Sequence, residues 1–142
     1  MNWKLIFQLS LFGLFMGVAT VFFIPSNIEP LCWLAIFLFC AYMIARYTVS
    51  SRFLHGLCLG LANCVWITAA HVLLFGQYLA HHPQESAMLA QTPLPTHPRL
   101  MMAIGGPIVG LVSGAIIGLL SLAAGKLLKG SSQRPNAMGQ SA

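Results

Sequence analysis

The chain has very little charge. Of 142 residues, seven are Lys or Arg and two are acidic, Glu29 and Glu85, so charged residues make up 6% of the whole. A soluble domain carries roughly 25%. Nine charges cannot cover the surface of a soluble fold of this length. The 58% of apolar residues likewise excludes a disordered chain. A net charge of +5 on so apolar a chain does not make a nucleic-acid-binding surface. What remains is an integral membrane protein.

Chemistry-bearing motifs are scarce too. There is no Gly-rich phosphate loop, no GxSxG and no HExxH. Two acids are too few for paired-carboxylate catalysis, so no enzyme is expected. The four cysteines, Cys32, Cys40, Cys58 and Cys64, form no CxxC and read as apolar packing. Haem held by two histidines needs both at similar depth on facing helices, and only His71 lies well inside a span. His81, His82 and His97, with Met88, Met101 and Met102, are too irregularly spaced for a copper or zinc site. No metal or other cofactor is expected.

Long apolar runs are plentiful. Residues Leu5 to Ile24 carry no charge. At about 1.5 Å per residue the run matches a hydrocarbon core of about 30 Å. It is longer than a signal-peptide core and ends at Pro25 rather than at a cleavage site, so it reads as a retained helix. Further spans are expected at 28–48, 53–79 and 99–128. Ser26 and Glu29 are spaced as a capping box, with Pro30 in the first turn. The loop 81–98 is the one long connector. Its first part, Pro83 to Gln91, suits a short interfacial helix, and Thr92 to Pro98 suits an extended polyproline-like chain. The expected organisation is a four-helix transmembrane domain over 1–129 and a disordered tail over 130–142, with no second domain.

Charge sets the expected orientation. Four spans put both termini on one side with Lys4, Arg46, Arg52, Lys126, Lys129 and Arg134, and leave Arg99, Glu29 and Glu85 on the other. The positive-inside rule then places both termini in the cytoplasm of a bacterial-type inner membrane. Trp3 and Tyr47 suit the inner interface, and Trp33 and Tyr78 the outer one.

Glycine supplies the most specific pattern. Gly106, Gly110, Gly114 and Gly118 make three consecutive GxxxG steps, a glycine zipper along one face of the last span. Gly13 and Gly17 form a second pair, and Gly56 and Gly60 a third. Lipid tails are as apolar as Leu, so helices in a bilayer associate where small residues let backbones touch. The pattern predicts packing within a compact all-α bundle. A homo-oligomeric pore or a hinge is the sharper alternative. Pro107 predicts a kink in the outer half of the last helix.

One helix face is polar. On the third span Gly56, Gly60, Asn63, Cys64, His71, Gln77 and Tyr78 share an arc of about 140°. Asn63, near mid-membrane, and His71, in the outer half, are the candidate residues of a polar pathway, with Pro107 beside it. The plainer reading is interhelical hydrogen bonding to Ser10, Thr20, Ser113 or Ser121.

Pro98-Arg99-Leu100-Met101-Met102, then Gly105-Gly106-Pro107-Ile108-Val109-Gly110 and the later glycines, resemble the last helix of small four-helix bacterial membrane families of no assigned function. The resemblance implies no activity and no site residues. In length the chain also approaches the four-helix small multidrug transporters, which rely on a Glu embedded in the first helix. The first span here has none. The sequence therefore predicts a small structural or accessory membrane protein, acting in the lipid bilayer by packing with itself or with a larger membrane complex. A small transporter or channel is the alternative.

Overall fold

The computed structural model describes residues 1–132 and is all-helical over them. The helices are α1 (Trp3–Phe22), α2 (Glu29–Tyr47), α3 (Arg52–Leu73), α4 (Phe75–His81), α5 (Pro83–Ala90) and α6 (Pro98–Ser132). Four of them, α1, α2, α3 and α6, are long and apolar enough to cross a membrane. Helix α6 covers the first residues of the expected tail, and the rest of that tail lies outside the described residues.

The helix ends follow from local chemistry. The Asn2 side chain accepts from the Leu5 backbone N–H at 3.1 Å and caps α1. At the other end of the α2–α3 link, the Arg52 guanidinium donates to the carbonyls of Thr48 (2.9 Å) and Ala45 (3.1 Å). It thereby satisfies orphan acceptors at the α2 C-terminus and places a cation at the negative end of that helix. Ser51 turns the chain with a left-handed φ of 57°.

Three local expectations are corrected. Ser26 and Glu29 form no capping box: α2 starts after Ile28 without a side-chain cap, and the Ser26 hydroxyl instead donates to Glu85 at 3.1 Å. The third span is not one helix to residue 79, because the chain breaks at Leu74 (φ −101°, ψ 32°) and resumes as α4. The proline-rich stretch is not extended throughout, since His97 N–H bonds the Leu94 carbonyl at 3.0 Å and closes a turn. The short helix expected after Pro83 is present as α5.

Helices α3 and α6 form the central pair. Helix α1 packs on α3, α2 packs on α6, and α1 and α2 touch little. The α3–α6 approach is set by glycine. A Cβ on Gly56 would lie 2.5 Å from Gly118 Cα, and one on Gly60 would overlap the Gly114 backbone. In the reverse direction, a Cβ on Gly114 would lie 2.8 Å from the Leu57 carbonyl oxygen, and one on Gly118 2.8 Å from that of Phe53. Backbones this close gain dispersion and Cα–H···O contacts that bulkier residues would hold apart. Gly13 and Gly17 serve the α1–α3 seam in the same way, against Asn63 and Ile67. Leu5, Leu9, Cys40, Ile44, Leu59 and Ile117 close the core at the end that carries the termini. The outward faces keep exposed apolar side chains, among them Phe7 and Phe15 on α1 and Ile108 and Leu119 on α6. They suit contact with lipid rather than water.

Glycines in the seam and outside it should respond differently to a methyl group. Gly60→Ala puts its Cβ into the Gly114 backbone, and overpacking of this kind costs about 1–3 kcal/mol. Gly105→Ala meets nothing within 4 Å and should be neutral or stabilising by up to about 1 kcal/mol. Reversible unfolding in mixed micelles measures both. Equal effects would contradict this packing.

Candidate functional site

Both acidic residues and the buried His71 and His82 lie at the end of the bundle opposite the termini, while buried His55 and Thr48 lie at the terminus end. His71 lies in the last turn of α3 and is buried. Its Nε2 is 2.9 Å from Thr20 Oγ1 on α1. That hydroxyl carries one proton, which it gives to the carbonyls of its own helix, Met16 at 2.8 Å and Gly17 at 3.3 Å. With that proton directed to Met16, the nearer of these carbonyls, the Thr20 oxygen accepts and His71 Nε2–H donates. The neutral ring then keeps a bare lone pair on Nδ1. Among the described residues, Nδ1 has no protein partner.

The break at Leu74 re-aims the chain so that Tyr78 folds back onto His71. The two rings stack at 4.0 Å between centroids, 21° from parallel. His82 stacks on the other face of Tyr78 at 4.4 Å and 20°. His82 Nδ1–H donates to the Tyr78 carbonyl at 3.0 Å, and Nε2 is fully buried with no hydrogen-bond partner. The nearest charged group is Glu29, 4.0 Å away. Burial, with Glu29 and Glu85 nearby, pushes the Tyr78 phenol above its ordinary range and keeps it a neutral hydroxyl. Tyr78 is thus a buried member of a three-ring stack and not an exposed interfacial aromatic.

Beside this stack lies a cavity of about 460 Å³. Its polar lining comes from Glu29, Thr68, His71, Tyr78, Glu85 and Thr92. Met88, Met102, Ile67, Leu89 and Val109 supply an apolar wall, and Gly105 and Gly106 leave room on the α6 side. Both acidic residues of the chain face this one space. Each carboxylate is held by one donor: Trp33 Nε1–H bonds Glu29 Oε1 at 3.1 Å, and Ser26 bonds Glu85 Oε2 at 3.1 Å.

Of the glycines and pathway candidates singled out from sequence, His71 and Gly106 line the cavity, as do Cys64 and Tyr78 of the polar arc and Met88 and Met102. Gly13, Gly17, Gly56, Gly60, Gly110, Gly114 and Gly118 lie in the helix seams. Pro107 is exposed, lies within an α6 that continues past it, and does not line the cavity. Asn63 does not line it either. Its side chain is 3% exposed, its Oδ1 would lie 2.7 Å from a Cβ on Gly13, and neither amide atom has a hydrogen-bond partner. Of the four hydroxyls expected to bond Asn63 or His71, only Thr20 does so. Ser10 accepts from Trp66 Nε1 at 3.2 Å, while Ser113 and Ser121 donate to their own helix. Sequence reasoning missed Glu29, Glu85, His82 and Thr68 as one group. The available signal was that the only two acids sit at the same end of the bundle.

Comparison with protein-family models, with curated proteins and with solved structures finds no match to this chain.

Two substitutions separate the roles of the polar residues. Asn63→Leu removes two unsatisfied buried groups at nearly constant volume and should be neutral or stabilising by about 1 kcal/mol. Thr20→Val leaves the His71 donor without its acceptor and should destabilise by about 1–3 kcal/mol. Thermal unfolding in detergent reads both. The opposite signs would refute the assigned hydrogen bonds.

Proposed function

We propose that the chain is a small multi-pass membrane protein that binds a small solute in the cavity between α3, α5 and α6, in the manner of a carrier. The observation that carries this reading is the cavity itself. Its volume of about 460 Å³ falls in the range of small-molecule sites, and it joins an apolar wall to a few convergent polar groups. A continuous channel is disfavoured, because the Leu5, Leu9, Leu59 and Ile117 core closes the bundle on the terminus side. The positive-inside rule puts the termini in the cytoplasm and opens the cavity toward the outer face.

The accessory reading, in which glycine-zipper packing joins a partner, has less support. The glycines that would meet a partner are occupied by the chain's own helices. A partner would have to dock on an outward apolar face such as Leu31, Leu34 and Leu38 of α2, which lipid also covers.

Gly105 gives the test, because it lines the cavity and a Cβ there meets nothing within 4 Å. Gly105→Phe should fill the site and leave the bundle folded. The full chain in lipid nanodiscs is titrated with three probes of similar size, phenethylammonium, 2-phenylethanol and 3-phenylpropionate. At least one should bind, and Gly105→Phe should weaken it tenfold or more at unchanged melting temperature. Absence of binding by all three, or binding indifferent to Gly105→Phe, overturns the solute site.

A further inference from the structure

The hydrogen-bonding inventory of the cavity narrows the solute. Resting on the solute-site reading above, we infer that the cavity selects a small organic cation bearing N–H donors, of the protonated primary amine class. Three observations carry this.

The first is charge. Glu29 and Glu85 both line the cavity, and no Lys or Arg does. The one cation at this end in the described structure, Arg99, is turned away over the Phe75 ring at 5.4 Å. In a partly apolar enclosure, two carboxylates without a resident counter-charge favour a cationic guest and exclude an anionic one.

The second is the direction of the hydrogen bonds. With the Thr20 proton directed to Met16, His71 Nε2–H donates to Thr20 and Nδ1 is left as the acceptor, on a residue that lines the cavity. His71 is 7% exposed, so this acceptor has little access to bulk water. Each carboxylate spends one oxygen on a fixed donor, Trp33 or Ser26. The other oxygen is left without a hydrogen bond: Glu29 Oε2 lies 4.0 Å from His82 Nε2, too far for one. Thr92 has spent its proton on the Leu89 carbonyl at 2.7 Å. The hydroxyls of Thr68 and Tyr78 and the weakly donating thiol of Cys64 are the side-chain donors that remain in the lining. A guest that satisfies this site must bring donors, and a primary ammonium brings three together with the charge.

The third is the wall. Ile67, Met88, Leu89, Met102 and Val109 receive a hydrocarbon or aromatic body next to the charged end. Both faces of Tyr78 are covered by histidine rings, so no open aromatic face is offered to a quaternary ammonium. Recognition runs through hydrogen bonds to the acceptors, and a cation without N–H groups should bind poorly.

The experiment is calorimetric titration of the full chain in lipid nanodiscs. Phenethylammonium is compared with its trimethylammonium analogue and with 2-phenylethanol, using wild type, Glu85→Gln and Gly105→Phe. Glu85 sits on α5, is bonded only by Ser26, and can be neutralised without touching the helix seams. Phenethylammonium should bind at least tenfold tighter than either comparator, and Glu85→Gln should remove most of that margin. The alcohol or the trimethyl compound binding as tightly, still blocked by Gly105→Phe, overturns the amine inference and leaves the solute site standing. No binding by any of them overturns both.

Discussion

Everything in this bundle depends on how closely α3 and α6 approach. A hydrophobic driving force between helices is missing in lipid, so contact must be made by backbones that touch. Gly56 and Gly60 meet Gly118 and Gly114 at distances that leave no space for a Cβ. That seam fixes the two helices in rotation and in register. It thereby decides which side chains of α3 face inward, and it leaves α1 and α2 to pack on opposite flanks of the central pair.

The cavity is the consequence of the same seam continuing toward the other end. Gly105 carries no side chain to fill the space on the α6 side, Gly106 packs directly against Thr68, and the break at Leu74 swings Tyr78 back over the gap. The chain after it, through His82 and α5, brings Glu85 to the rim. The start of α2 brings Glu29. Two acids far apart in sequence thus share one enclosure with a histidine whose Nε2 is tied from behind to Thr20. Along the bundle axis, the apolar cluster of Leu5, Leu9, Ile44 and Leu59 sits at the terminus end, and the two carboxylates with the His71–Tyr78–His82 stack sit at the other.

Much of the architecture was legible because it rests on local rules. Run length and hydropathy marked four helices long and apolar enough to cross a membrane, and the glycines at the close approaches of α3 and α6 fall on GxxxG spacings. The pairing was not legible, because Gly13 and Gly17, Gly56 and Gly60, and the α6 glycines are chemically alike and any two sets could meet. The site was half legible. His71 stood out as the one histidine deep in a span, and Thr20 was among its expected partners. Ser26 misled, since its spacing to Glu29 suggests a helix cap, whereas a cross-chain acceptor, Glu85, takes its proton. Asn63 misled differently. It lies on the right face, but Gly13 packs against it so tightly that it faces helix and not cavity. Nothing near Leu74 signals a helix break except Gly76, two residues later. The geometry of Tyr78 is therefore a tertiary outcome.

Recognition of an amine in this cavity turns on which nitrogen of one ring carries the proton. Nitrogen-15 NMR of histidine-labelled chain in nanodiscs reads the two nitrogens of His71 directly, with His71→Gln providing the assignment. The structure predicts a protonated Nε2 and a bare Nδ1, with the Nδ1 resonance alone moving when phenethylammonium is added. A protonated Nδ1 with a bare Nε2, or a spectrum unchanged by the amine, would contradict it.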